Sequence, residues 1–514
     1  MAAEPPEIVI GVDIGTTSTK AVAYDRRGEV LASHSREYEL HEPAPGYAEQ
    51  DPDEIHAAVL ATLGAVVGEV GSPVAGLCFS AAMHSLLGLD SGGRPLTPAL
   101  TWADSRAAAQ AERIRAATGG LALHRRTGTP VHPMAPLAKL AWFSEQEPEL
   151  CRRVAHWAGI KDYVLLRICD ALVTDASTAS ATGLLDLSAM TWDAEALALA
   201  SVTAEQLPRL VATTCVLDGL SANAAQAVGL PAGVPVVVGA GDGPLANLGL
   251  GAVRPGVAAC SIGTSGALRV LVDSPAVDDR GGVFCYALTG HHWAVGGAIS
   301  NGGVVLDWVG DSLAPDLAVE EVVALAASVP AGCGGLVMLP YLLSERAPHW
   351  SSVPRGAYIG LTREHRREHL VRAALEGVCL QLALVLQSMR AAGIAVHEVR
   401  ATGGFARSAV WRQMLADALG LPVSFPAGHE GSSLGAALLG MQALGLVESI
   451  EVAADLVVID EVVAPDAATA ERYASMLPVF ADLYDALAPA FSALRELRPG
   501  LPLDTPAGDG PAAG

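Results

Sequence analysis

The chain has 514 residues, too many for one ordinary hydrophobic core, so two large domains are expected. Its 32 Lys and Arg against 55 Asp and Glu give a formal charge of −23, which repels nucleic acid and anionic membranes and excludes both as natural partners. Hydrophobic residues make up 51% and charged residues 17%, a balance that excludes a disordered chain. The eight cysteines stand singly in apolar surroundings with no C-x-x-C pair, as reduced core thiols do. The opening MAAEPPEIVIGVDIG carries acids where a secretion signal carries positive charge. Ser, Asp, Gly and Pro break each apolar run short of membrane-spanning length, so a cytoplasmic location is expected.

In chain order, Ile8 to Val12 reads as a buried strand, Asp13 to Thr17 as a turn, Ser18 to Tyr24 as a second strand and Val30 to Ser33 as a third. A helix follows Asp51-Pro52-Asp53, with an acidic cap and proline in the first turn. Strand and helix signals then alternate to about residue 240, which predicts an α/β layer fold. Val236 to Val238 reads as a strand and Gly239-Ala240-Gly241-Asp242-Gly243 as a turn. The opening pattern IVIGVDIGTTSTKAVAY returns as GVAACSIGTSGALRVLV between Gly256 and Val272. An echo at that distance is too long for a solenoid repeat and predicts two related lobes, each offering one hairpin turn to a shared cleft. The boundary is expected near residue 243, with lobes over 1–243 and 244–498. Further on, a helix is predicted over Arg363 to Arg390 after Thr362, a strand over Glu398 to Ala401, a Gly403-Gly404 turn, and a helix over Ala409 to Leu419. The Pro/Gly-rich stretch 499–514 is expected to be disordered.

The segment Asp13-Ile14-Gly15-Thr16-Thr17-Ser18-Thr19-Lys20 supplies what a phosphate chain needs: a tight turn, hydroxyl donors, a lysine and an acid able to hold Mg²⁺. It lacks the Gly-Lys-Ser/Thr of a Walker loop, and a strand follows it. Alone it reads equally as an ordinary hairpin; the second copy at Ser261-Ile262-Gly263-Thr264-Ser265-Gly266 favours two turns clasping one polyphosphate. Gly403-Gly404-Phe405-Ala406-Arg407-Ser408, between a strand and a helix, lets backbone lie flat against a nucleoside. Asp242, at the seam of the two lobes, reads either as an Asx turn former or as a carboxylate that orients an attacking hydroxyl. Met83-His84 at a strand tip and Trp102-Ala103-Asp104 offer the aromatic wall and polar groups that a polyhydroxylated ligand calls for. Lys161-Asp162 and Glu345-Arg346 read equally as parts of that pocket or as internal ion pairs.

Together these residues resemble the FGGY family of carbohydrate kinases, within the actin/hexokinase/Hsp70 superfamily, from Ile8 to about Leu446. MAPLAKLAWFSEQ (134–146) matches one family signature; Gly356-Ala357-Tyr358-Ile359-Gly360-Leu361, with His369-Leu370 and Ala373-Ala374-Leu375-Glu376, matches the other. The resemblance implies two ribonuclease-H-like domains with MgATP between them. It assigns Asp13 to the metal and Thr16, Thr17, Ser18 and Lys20 to phosphate, with Thr264 touching phosphate from the other lobe. It puts Gly303, Gly404 and Ser408 around the nucleotide, although some relatives carry Asn at the Ser408 position. It makes Asp242 the catalytic base, and Met83, His84 and Trp102 sugar contacts. It further implies a homodimer, as family members often form. Within the family, SAAMHSLLGLD, GIKDYVL, GTSGALRVLVD and ATGGFARSAVWRQMLADALG are most similar to gluconate kinases, with xylulose kinases the nearest alternative. An anionic sugar acid entering so acidic a protein requires cations, for which Lys161, Arg346 and His84 are the candidates. Two other readings compete. An ATP-binding scaffold or sugar sensor would need neither Asp242 nor the sugar pocket, and a dehydrogenase lacks its G-x-G-x-x-G fingerprint here.

Overall fold

The computed structural model describes residues 7–117, 119–427 and 431–497; the stretch 499–514, expected to be disordered, lies outside them. Both lobes are built on the same plan. In the first, strands β1 (Ile8–Ile14), β2 (Ser18–Tyr24) and β3 (Val30–Glu37) form the antiparallel meander, and helix α1 (Pro52–Val70) follows. The Asp51 carboxylate caps α1 by accepting from the amides of Asp53 and Glu54, which are otherwise orphaned at a helix start. Strand β4 (Val74–Ala81) pairs parallel with β1. After a long excursion of short elements, which includes the five-residue helix α2 (Ala176–Ser180), the edge strand β5 (Val216–Leu217) and then β6 (Val236–Gly241) complete a sheet of order β5-β6-β4-β1-β2-β3.

The polypeptide crosses to the second lobe through helix α3 (Asp242–Gly249). Strands β7 (Val257–Ile262) and β8 (Gly266–Val272) repeat the first hairpin, and β9 (Phe284–Ala287) and β10 (Trp293–Ile299) extend the sheet beyond it. Helix α4 (Arg367–Ala391), strand β11 (Glu398–Thr402), helix α5 (Ala409–Leu419), strand β12 (Val423–Pro426), helix α6 (Gly431–Ala443), strand β13 (Ile459–Val463) and helix α7 (Ala467–Glu496) follow. The order β9-β10-β8-β7-β11-β12-β13 reproduces the first sheet with β9 added. In each lobe the parallel pairs β1–β4 and β7–β11 place a hairpin turn beside a strand end at the cleft.

Several local expectations change. Gly239–Gly241 continues the strand instead of turning, and Asp242 is the first residue of α3, because the chain enters a helix directly at the sheet edge. Helix α4 begins at Arg367 and not at Arg363, because Thr362 to His365 close a separate turn and the extended backbone of Arg366 (φ −133°, ψ −179°) breaks the chain before the helix starts. The third strand runs to Glu37, four residues past Ser33. Among the described residues α4 and the Ala467–Leu494 part of α7 are long and apolar enough to cross a membrane. The apolar window of α4 is 89% buried in the second lobe, where it serves as the central core helix. All eight cysteines are free, five of them buried.

The lobes join through α3 and α6. Helix α6, which belongs to the second lobe, lies on the sheet of the first: a Cβ at Gly11 of β1 would sit 2.0 Å from the Ser433 carbonyl oxygen. The Tyr24 and Ser433 hydroxyls lie 2.9 Å apart in the same interface. Where α3 crosses α6, a Cβ at Gly435 would lie 2.0 Å from the Leu245 carbonyl oxygen, and one at Gly249 would lie 1.6 Å from that of Gly431. Backbone packs on backbone there, so any side chain forces the helices apart. Gly435→Ala is expected to destabilise the protein by about 1–3 kcal/mol, in the range of overpacked core sites. Denaturant midpoints check this, and a wild-type midpoint would show that the crossing can open at little cost.

Candidate active site

Asp242 stands at the N-terminus of α3, half-buried, with its Oδ1 accepting the Gly243 amide at 2.7 Å. It lines a cavity of about 300 Å³ between the lobes. The first lobe contributes Met83, His84, Trp102 and Met134 to the lining; the second contributes Ser261, Ser265, Gly266, Arg269, Tyr286, Arg346 and Ser432. Burial, and then the neighbouring Asp13 carboxylate, push the Asp242 carboxyl up to about 6, while Arg269 and the Gly243 amide pull it down. A carboxylate poised there is ionised at neutral pH yet basic enough to take a proton from a hydroxyl in a transition state.

His84 has φ +68°, a left-handed conformation that turns the chain at the strand tip. Its Nδ1 lies 2.7 Å from the Ala181 carbonyl and must donate to it, which leaves Nε2 as an acceptor facing the Tyr286 hydroxyl at 3.4 Å. Burial pushes this imidazole down to about 3, so it stays neutral. Lys139, wholly buried, donates to the carbonyls of His84 and Thr101 at 2.7 Å each and so fixes the backbone on either side of the pocket. Trp102 forms a wall: its indole N–H donates to Thr16 Oγ1 at 2.9 Å, and the Arg346 guanidinium lies 4.7 Å from its ring centre. Arg346 is anchored by donation to the Ile299 carbonyl at 2.8 Å and to Ser300 Oγ at 3.3 Å. Burial lowers it to about 10, which leaves it charged at neutral pH. Arg269 comes from the middle of β8, is buried, and its Nε has no hydrogen-bond acceptor among the described residues.

The β7–β8 turn stands between this cavity and a second one of about 520 Å³. Ser261, Ser265 and Gly266 face the first cavity, whereas Ile262, Gly263 and Thr264 face the second. Gly303, Gly404, Phe405 and Ser408 line the second cavity with Leu306 and Trp411. The turn is held from below, where the Gly303 amide donates to the Gly263 carbonyl at 2.6 Å and the Val304 amide to the Thr264 carbonyl at 3.2 Å. Ser408 has a structural duty as well, capping α5 by accepting from the Trp411 amide. On the first lobe, the β1–β2 turn is closed by the Gly15 amide on the Ser18 carbonyl at 2.9 Å. The Tyr38 hydroxyl supports it by donating to the Gly15 carbonyl at 2.6 Å. Thr16 reaches the first cavity through Trp102, while Thr17, Ser18 and Lys20 sit on the same hairpin and line neither cavity. Asp13, at the end of β1, accepts from Ser80 Oγ at 2.7 Å and from Ser432 Oγ at 2.6 Å, and Ser432 itself lines the first cavity.

Asp242, Met83, His84, Trp102 and Arg346 are thus brought to one cavity, and Thr264, Gly303, Gly404 and Ser408 to the next. Lys161 and Asp104 are placed elsewhere. Lys161 is 1% exposed, with its ammonium 2.6 Å from Asp175 in a buried ion pair. Asp104 accepts from the Ala48 amide and from Arg106, which also meets Glu49, so its carboxylate is consumed in shaping the loop that carries Trp102. Sequence reasoning missed Arg269, Tyr286 and Ser432. A lone arginine within the apolar run GALRVLV was the available signal for the first.

Comparison with known proteins points to one family. The description "FGGY family of carbohydrate kinases" matches through its N-terminal domain over residues 8–249 and through its C-terminal domain over 258–444. The chain is 40% identical to a gluconokinase of Bacillus licheniformis over 93% of this chain and 96% of that protein. Two solved structures from Lactobacillus acidophilus, one of a ligand-bound xylulose kinase and one of a gluconate kinase, each superpose with TM-score 0.92 at 34% identity, covering 95% of this chain and 99% of theirs.

The electrostatics are testable without any assay of turnover. A ¹³C carboxyl titration of Asp242 is expected to show a midpoint near 6. Asp13→Asn, which removes a like charge, should lower that midpoint, and Arg269→Gln, which removes a cation, should raise it. A midpoint near 4 that neither change moves would detach Asp242 from both neighbours.

Proposed function

This chain belongs to the FGGY family of carbohydrate kinases, and from that footing we propose that it transfers the γ-phosphate of ATP to the primary hydroxyl of D-gluconate, giving 6-phosphogluconate and ADP. One observation carries the choice of substrate: the guanidiniums of buried Arg269 and half-buried Arg346 both line the cavity that holds Asp242, and neither has a carboxylate within ion-pair distance among the described residues. The buried Glu345 beside Arg346 is bonded to Asn301 and to backbone amides. A neutral sugar leaves these guanidiniums without a direct anionic partner in the cavity, whereas a sugar acid supplies one. The likeness to gluconokinases supports the same choice.

The reaction is an in-line displacement. The sugar hydroxyl oxygen bonds to the γ-phosphorus as the bond to the bridging oxygen of ADP breaks, and the hydroxyl proton passes to Asp242. Neutral His84 accepts a hydroxyl hydrogen at Nε2, Trp102 covers one face of the sugar chain, and Arg346 and Arg269 hold the anionic end and the carboxylate of the base. The nucleotide occupies the second cavity, with the base against Gly404 and Phe405 and the phosphates over Thr264. The N-termini of α3 and α6 both open onto this path and favour negative charge there. Asp13, with Ser80 and Ser432 hydroxyls on its oxygens, fits the hard, oxygen-preferring Mg²⁺ that accompanies ATP, an ion held mainly by phosphate and water. When bound there, Mg²⁺ neutralises phosphate charge. Among the described residues no cluster of three or more His, Cys, Asp or Glu forms a separate metal cage.

A second reading, phosphorylation of xylulose, draws on the equal structural likeness to a xylulose kinase. A coupled assay over gluconate, xylulose, ribulose, glycerol and rhamnulose separates the two. Gluconate is expected to be preferred in kcat/KM by at least about a hundredfold, the scale of a lost charged contact. Turnover of xylulose with none of gluconate would reject the assignment.

Asp242→Asn should lower kcat by about a thousandfold or more while nucleotide still binds, and retained turnover would remove Asp242 as base. The same change should raise stability at pH 7. The folded carboxyl titrates at about 6 against 3.8 unfolded, so its stabilising effect is complete below pH 3.8 and lost as pH rises through 6. Relief of up to about 3 kcal/mol is therefore expected in the variant at neutral pH.

A further inference from the structure

Helix α2, Ala176–Ser180, has no assigned role, yet it touches three walls of the sugar cavity. Ser177 Oγ accepts the Gly241 amide at 3.2 Å, immediately before Asp242. The Ala181 carbonyl, at the end of the helix, accepts the N–H of His84 at 2.7 Å and so sets its tautomer. Ser180 Oγ accepts the Ala287 amide at 3.0 Å, next to Tyr286 in the sheet of the other lobe. Both serines are fully buried. The helix is held at its start by Asp175, whose carboxylate caps the Thr178 amide at 2.9 Å and pairs with Lys161 at 2.6 Å. A buried ion pair is a weak source of net stability but holds its neighbours in one arrangement, because losing either partner strands a charge. A side chain bonded to a strand end fixes the reacting group that follows it, and misplacement of that group by an ångström costs rate and not affinity.

We propose that Ser177 and Ser180 are positioning residues: Ser177 aims Asp242 by holding Gly241, and Ser180 ties the Tyr286 strand to the first lobe, with the Lys161–Asp175 pair setting the helix between them. This inference rests on Asp242 acting as the base. It accounts for a lysine that the sequence suggests for the sugar and that the fold spends elsewhere.

The experiment compares Ser177→Ala, Ser177→Thr and Ser180→Ala with wild type and Asp242→Asn. Each is assayed with gluconate and ATP over pH 5 to 8 and checked for folding by thermal melting. Ser177→Ala is expected to lower kcat about tenfold, to change KM for ATP less than about twofold, and to displace the acidic limb of the pH–rate profile. Ser177→Thr, which keeps the hydroxyl, should recover most of kcat. Ser180→Ala should raise KM for gluconate about fivefold with a smaller change in kcat. Wild-type kcat, KM and acidic limb in both alanine variants, or losses that follow only the melting temperature, would overturn the proposal. Should Ser177→Ala fail to fold, Ser180→Ala and Ser177→Thr decide it by the same readouts. Turnover retained in Asp242→Asn would instead defeat the assignment of the base, whatever the serine variants do.

Discussion

Where α3 crosses α6, glycines at 249 and 435 bring two helix backbones so close that a methyl group at either would fall within 2.0 Å of a carbonyl oxygen. The crossing sets the end of α3 against the start of α6, where Ser432 bonds Asp13 at the end of β1, while Asp242, at the other end of α3, lines the same cavity as Ser432. Two strand ends and two helix N-termini, drawn from separate lobes, therefore converge on a single small volume. The repeated topology of the lobes makes that convergence a matter of symmetry: each supplies one hairpin, one parallel strand end and one closing helix.

The charges in that volume follow from burial. Asp13 and Asp242 repel one another, which raises Asp242, and Arg269 opposes the effect. The outcome is a carboxylate that stays ionised at neutral pH but is less stable folded than in water, a cost expected of a group held for the proposed role of base. Arg346 is held by carbonyl and hydroxyl groups and faces Trp102, so its charge is displayed to the cavity without a carboxylate partner bonded to its guanidinium among the described residues. Trp102 reaches the β1–β2 turn through Thr16, so the cavity wall and that turn are in direct contact and a shift in one is felt by the other.

Much of this was legible in the sequence because the signals were local. A β-hairpin with hydroxyls at its turn, returning once at a long interval, gave away both lobes and their two matching hairpins. The Asp-Pro-Asp cap of α1 and the bounds of α5 followed from capping chemistry alone. The long-range features were not legible. Arg269 sits in an apolar strand and faces the cavity only because β8 pairs between β7 and β10. Lys161 read equally as a pocket cation or as half of an internal ion pair, since nothing in its neighbourhood in sequence reveals Asp175, fourteen residues away, as its partner. Asp242 was found by its glycine-rich surroundings, although those glycines extend a strand and do not form a turn. The error in α4 was of a third kind, an extended residue, Arg366, that separates the Thr362–His365 turn from the helix proper.

The central claim is that a sugar hydroxyl and the terminal phosphate meet in front of Asp242, between the two matching turns. A crystal structure of the Asp242→Asn variant with gluconate, magnesium and a non-hydrolysable ATP analogue tests it most directly. The account predicts the primary hydroxyl within about 3 Å of the residue-242 side chain, in line with the γ-phosphate over the Thr264 turn. It is contradicted if the sugar sits with its carboxylate toward residue 242, or if the triphosphate lies away from the β1–β2 and β7–β8 turns.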